Sequence, residues 1–136
     1  MISDIRYLLE SRLKTWADAQ SPAVPVAWQN VPFTPPATRY LRAWLLPAET
    51  GSETLDGAHR RYVGVFQVSV VVPQGTGPGA AEAIADAIAA LYPMNQLLSM
   101  TGLDVYIVGP MSVAQGLHSD DRYIVPVTCR YRADTV

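Results

Sequence analysis

The run Ala27-Trp28-Gln29-Asn30-Val31-Pro32-Phe33-Thr34-Pro35-Pro36, continuing to Tyr40-Leu41-Arg42-Ala43-Trp44-Leu45-Leu46-Pro47, constrains this chain more than any other stretch. It holds two of the three tryptophans and four of the eleven prolines. Proline lacks a backbone N–H and locks φ, so the passage is barred from a helix, and residues 32–36 are barred from a central strand. Each proline also drives the preceding residue toward extended geometry, which applies to Val31, Thr34 and Pro35. The passage therefore reads as a stiff connection anchored by the rings of Trp28, Phe33, Tyr40 and Trp44. It contains no set of side chains that could run a reaction, so shaping a surface is its expected role.

Periodicity supplies the elements on either side. Residues 3–19 place Ile5, Leu8, Leu9, Leu13 and Trp16 at helical spacing, with Ser3 as a reasonable N-cap and Ser21-Pro22 as the stop. Residues 24–29 form a short strand candidate and residues 39–46 a second strand. The polar segment 48–59 reads as a long connection. From residue 60 or 61 to 72, Tyr62, Phe66, Val68, Val70 and Val72 share one face of a strand, with Val63, Val65, Gln67 and Ser69 on the other. The two strands flanking that loop imply a long antiparallel hairpin.

Gly75-Thr76-Gly77-Pro78-Gly79 reads as a turn, followed by an alanine-rich helix to Leu91 or Tyr92 that Pro93 ends. Strands follow at 104–108 and 111–114, then a polar loop at 115–121. The last strand runs over 122–132, with Tyr123, Val125, Val127, Cys129 and Tyr131 on one face; Pro126 suggests an edge position or a bulge. The order predicts an α+β fold over residues 1–136: a single domain, with two helices packed on one face of a mostly antiparallel sheet. A chain of 136 residues suits one core burying roughly 70% of the unfolded surface.

Only 16% of the residues are charged while 49% are apolar, so the exposed surface is poor in charge and suited to cover by a partner. The net charge of −2 gives no electrostatic footprint for nucleic acid, and no specific nucleic-acid binding is expected. Nine arginines accompany one lysine. Interface use of the less hydrated guanidinium and genomic base composition both explain that bias. A lone cysteine excludes an internal disulfide or a thiolate metal cage. There is no signal-like apolar run at the N-terminus and no apolar stretch near the ~20 residues that span a bilayer, so no membrane partner is expected and the chain reads as soluble and cytosolic.

Sites that could carry chemistry fall to simpler readings. The Gly75–Gly79 spacing meets neither the dinucleotide fingerprint nor the phosphate loop with its lysine, and Pro78 removes a donor, so a turn opening a helix is the plainer reading. His118, Ser119, Asp120 and Asp121 lack a partner at ligand spacing, and His59, in another polar loop, reads as solvated. Cys129 fits a buried small hydrophobe. Hence no catalytic residue, no metal ligand and no cofactor is assigned, and the chain is not read as an enzyme. Arg122, Arg130 and Arg132 share the face opposite Cys129, either as a solvated face or as an interface strip.

The leading helix Ile5-Arg6-Tyr7-Leu8-Leu9-Glu10-Ser11-Arg12-Leu13, the passage Val26 to Pro36, Tyr40-Leu41-Arg42, Leu46-Pro47-Ala48-Glu49, Gly64-Val65-Phe66-Gln67-Val68 and Val72-Pro73-Gln74-Gly75-Thr76-Gly77 together carry a resemblance. In that order the chain resembles small prophage-encoded proteins similar to the tail terminators of long-tailed phages. The resemblance implies an α+β subunit that forms a homo-oligomeric ring, usually a hexamer, capping the tail tube, stopping its polymerisation and joining it to head-completion or connector proteins. It implies location in the virion tail, with assembly in the host cytoplasm. The family supplies no catalytic residues. Interface candidates come from the residues themselves: Trp28, Phe33, Tyr40 and Trp44 of the proline passage, Glu49, Glu53, Arg60 and Arg61 around the 48–59 loop, and Arg122, Arg130 and Arg132. The alternatives are a head–tail connector or stopper, a small-molecule or nucleotide-binding domain built on the Gly75–Gly79 turn, and an enzyme built around His118 and Asp120.

Overall fold

The computed structural model describes residues 2–52 and 54–135. Helix α1 spans Ile2–Asp18, and strand β1 is only Val26–Ala27. Strand β2 (Tyr40–Pro47) and strand β3 (Arg61–Pro73) make the long hairpin, and helix α2 covers Gly79–Leu91. Then come β4 (Leu97–Met100), β5 (Leu103–Ile107), β6 (Ser112–Val113), β7 (Leu117–Ser119) and β8 (Arg122–Thr135). All eight strands form one sheet in the order β1-β2-β3-β8-β5-β4, with β6 and β7 also pairing with β8. Every pairing is antiparallel except β1 with β2. The α+β architecture agrees with the sequence reading.

Strand alternation decides what is buried. Leu41, Ala43 and Leu45 of β2, Phe66, Val68, Val70 and Val72 of β3, and Val125, Val127, Cys129 and Tyr131 of β8 point to one face and are buried. Ile5, Leu9, Leu13 and Ala17, one i,i+4 stripe of α1, close over that face together with Ala81, Ala85 and Ile88 of α2 in a single core. Both helices therefore lie on the same face of the sheet. They are also tied to each other. The Tyr92 hydroxyl donates to the Leu9 carbonyl at 2.6 Å, and Arg12 Nε donates to the Leu91 carbonyl at the end of α2. Each bond satisfies a carbonyl, the latter one that a helix terminus leaves open. Burial raises the Tyr92 hydroxyl above its ordinary range and pushes the Cys129 thiol up to about 12, so Cys129 is an inert core residue.

Gly64 serves close approach. A Cβ there would sit 2.6 Å from both the Leu46 carbonyl oxygen and the Tyr131 hydroxyl, so the bare backbone makes the notch that admits the Tyr131 ring.

Four local expectations are corrected. Ser3 lies inside the first helical turn and not at its cap. The strand read over 24–29 shrinks to two residues. The 115–121 loop contains β7, whose three exposed residues Leu117, His118 and Ser119 pair with β8 through a tight turn with Asp120 at φ 54°. Pro126 is neither at an edge nor in a bulge, because β8 is central: β3 pairs along one side without interruption from Arg61↔Asp134 to Pro73↔Arg122. The Pro126 carbonyl accepts from the Ala114 amide, so the position of its missing N–H faces the break between β6 and β7. No ladder bond on the β3 side is lost.

Candidate assembly interface

The other face of the sheet carries no helix, and its side chains follow from the same alternation. From β2 it receives Tyr40, Arg42, Trp44 and Leu46. The register extends these rows as Trp44↔Gln67↔Thr128 and Leu46↔Val65↔Arg130, with Tyr106 of β5 opposite Arg132. Trp44 is 38% exposed, Leu46 46%, Tyr106 39% and Val108 48%, and Arg130 is also exposed among them. Large apolar side chains stand at two places on this face, on β2 and at β5, with Val65 and the polar Gln67, Thr128, Arg130 and Arg132 of the two strands between them. Such a mixed, half-exposed surface is suited to cover by another protein.

At the end of this face where β2 starts, the proline passage folds back over the sheet. The Phe33 ring packs on Tyr40 with centroids 5.2 Å apart, and Tyr40 is 4% exposed. Arg122, at the start of β8, donates to the carbonyls of Pro36 and Thr38 (2.9 Å for Thr38). Its guanidinium lies 5.5 Å from the Tyr40 ring centroid, with that of Arg42 at 5.8 Å. Arg122 thus clamps the passage to the sheet. Trp28, Phe33, Trp44 and Val31 line a groove of about 240 Å³ beside β1. Gln29 in the same wall accepts from Arg6 at 2.9 Å and from the Leu45 amide at 3.1 Å, which occupies a donor on the outer edge of β2.

At the other end of the hairpin the 48–60 connection is held at its foot. Gly51 and Arg61 exchange both backbone hydrogen bonds at 2.8 Å, and the Arg60 amide donates to Thr135 Oγ1 at 2.9 Å. His59 is not simply solvated: its Nε2 lies 3.0 Å from Asp134 Oδ1. Asp134 also accepts from Arg132, at 3.0 and 3.3 Å. Burial alone would raise the Asp134 carboxyl, but the hydrogen bonds and charges of Arg132 and His59 outweigh it and hold the group below its ordinary range.

The sequence-derived candidates thus sort by place. Trp28, Phe33 and Trp44 meet at one groove, and Phe33, Tyr40 and Arg122 form one packed cluster. Glu49 and Arg60 are exposed beside the loop, Arg61 opens β3, and Glu53 lies outside the described residues. Arg122, Arg130 and Arg132 share a face as expected but do not make a continuous basic strip, since Arg122 is bound to carbonyl oxygens and Arg132 to Asp134. Leu46, Tyr106 and Val108 were not among the candidates. The signal that could have found Leu46 was present, because Tyr40, Trp44 and Leu46 make β2 apolar on both of its faces.

The remaining motifs are plain. Gly75 and Gly77 sit at φ 89° and 79° in an exposed turn, and Pro78 opens α2 without a side-chain cap. His118 packs on the Tyr123 ring, centroids 5.2 Å apart. Among the described residues no three His, Cys, Asp or Glu side chains group as metal ligands, and no helix is long and apolar enough to cross a membrane.

Residues 4–131 match the family described as phage tail terminator protein. The chain belongs to the phage tail terminator family. Membership makes it a structural protein of the phage tail, located in the virion tail, and places it in a non-enzymatic family. A solved structure is similar at 45% sequence identity with a TM-score of 0.84, covering 98% of this chain and 95% of that chain. No curated protein matches the sequence.

Proposed function

We propose that copies of this chain form a homo-oligomeric ring, a hexamer, that caps the tail tube, ends its polymerisation and offers its outer side to a head-completion or connector protein. The reading rests on family membership, and one structural observation supports it most: the helix-free face, where Trp44, Leu46, Tyr106 and Val108 stand exposed around Arg130. With less than half of each side chain in water, covering them gains roughly 1 kcal/mol each, a driving force for association. The rigid proline passage, pinned by Arg122, shapes the border of this face. Deleting the gene and imaging the tails tests the proposal. Tubes of uncontrolled length are expected; tails of normal length would overturn it and favour a connector role.

A further inference from the structure

Two features at opposite ends of the β2–β3 hairpin have no use within one subunit. At the loop end Leu55 has a relative exposure of 110%, the highest among the described large hydrophobic residues. It stands on a built turn and not on slack chain. The Gly57 amide donates to the Thr54 carbonyl at 3.2 Å, the Ala58 amide to Asp56 Oδ1 at 3.0 Å and the His59 amide to Thr54 Oγ1 at 3.3 Å, with Gly57 at φ 71°. The foot below is fastened by the Gly51–Arg61 bridge and the His59–Asp134 contact. Holding a leucine fully in water on an ordered turn makes sense as a knob.

At the far end is a groove of about 610 Å³. Its walls include Pro22 and Pro25 on one side and Val72, Ala80, Ala83 and Ile84 on the other. The exposed alanine flank of α2 keeps it open, since no long side chain fills it. Arg39 is the one charged residue lining it, donating to the Pro22 carbonyl at 3.1 Å, while the knob's turn bears the exposed carboxylate of Asp56 with Arg60 beside it.

A subunit cannot seat its own knob. Seven residue steps separate the Pro47↔Gly64 pair from the Tyr40↔Val71 pair, or ~23 Å at strand rise, and Leu55 lies beyond the first pair while the groove lies beside the second. A second copy can. We infer that Leu55 of one subunit inserts into the Pro22–Ala83 groove of the next, an apolar plug that brings the Asp56 carboxylate beside it toward Arg39. Knob and hole are different surfaces of one chain, so the contact is head-to-tail, the kind that propagates and closes into rings. This inference rests on the ring proposed above and identifies the contact that would build it.

The test uses the full chain with Leu55→Cys and Ala83→Cys together, treated with a short bis-maleimide; buried Cys129 stays silent. A ladder of covalent oligomers ending at the ring size is expected from the double variant. Mixing the two single variants should yield dimers only, and each alone none. Leu55→Asp should weaken self-association at least tenfold while the melting temperature of the dissociated subunit, read at low concentration, stays unchanged, and Leu55→Met should keep association. Rings seen by electron microscopy without any ladder would overturn this contact and leave the ring intact. Absence of both ladder and rings, at high concentration and on tube ends, would overturn contact and ring together.

Discussion

The two faces of the sheet are made by the same strands, yet they do different work. Under the helices the alternate residues are close-packed: Phe66 is fully buried and meets Tyr92 with ring centroids 5.6 Å apart. On the other face, one position along the strand, Trp44, Gln67 and Thr128 lie in a row that no helix covers. The helix-covered face holds the stability of the subunit, whereas the open face, which we propose for assembly, leaves its large side chains half in water. The border runs through β2, which presents large apolar side chains to both faces.

Breaking the helix-covered side should give the largest effect. Phe66→Ala is expected to cost about 3–5 kcal/mol in denaturant unfolding, through lost transfer energy and the cavity left behind. If the loss were under 1 kcal/mol, the core would not be centred there. Next comes the clamp on the open face. Arg122→Met removes donors to the Pro36 and Thr38 carbonyls and the cation over Tyr40, and should cost about 1–3 kcal/mol. Limited proteolysis should then cut within residues 30–38, and an unchanged digestion pattern would disprove the clamp.

A smaller effect concerns the loop foot and depends on pH. The Asp134 carboxyl is held below its ordinary value, so its stabilising contribution is present above the unfolded carboxylate pKa of about 3.9 and is lost as pH falls through the native value. Asp134→Asn should flatten the stability profile below about pH 4, read by thermal melts across that range. The smallest stability change sharpens the contrast most. Leu46→Ser, at a side chain already about half in water, should shift unfolding free energy by about 1 kcal/mol. The same change should abolish length control of tails, and normal tails from it would remove the open face from assembly.

Much of this division was legible in the residues. Both helices and the strands β2, β3 and β8 announce themselves through period, and the burial of Cys129 followed from its place in the alternation. The short strands did not. Leu117, His118 and Ser119 are all exposed in β7, so no alternation marks them, and β4 covers four residues with no fully buried position. The place of Pro126 in a central strand depends on where β6 stops and β7 begins, a property of three separate segments. The anchors Trp28, Phe33, Tyr40 and Trp44 could be named from the proline passage, but the Arg122 clamp could not, because 86 residues separate Arg122 from Pro36. The solvated histidine expected at position 59 likewise turned on a partner 75 residues away.

Strand β8 has one further consequence. Along β3 it is joined by an unbroken ladder, while its opposite side is divided among β5, β6 and β7. Such a strand is a spine with one welded seam and one jointed seam. The three segments on the jointed side each hold β8 through their own few pairs, so altering one of them leaves the ladder that carries the hairpin whole.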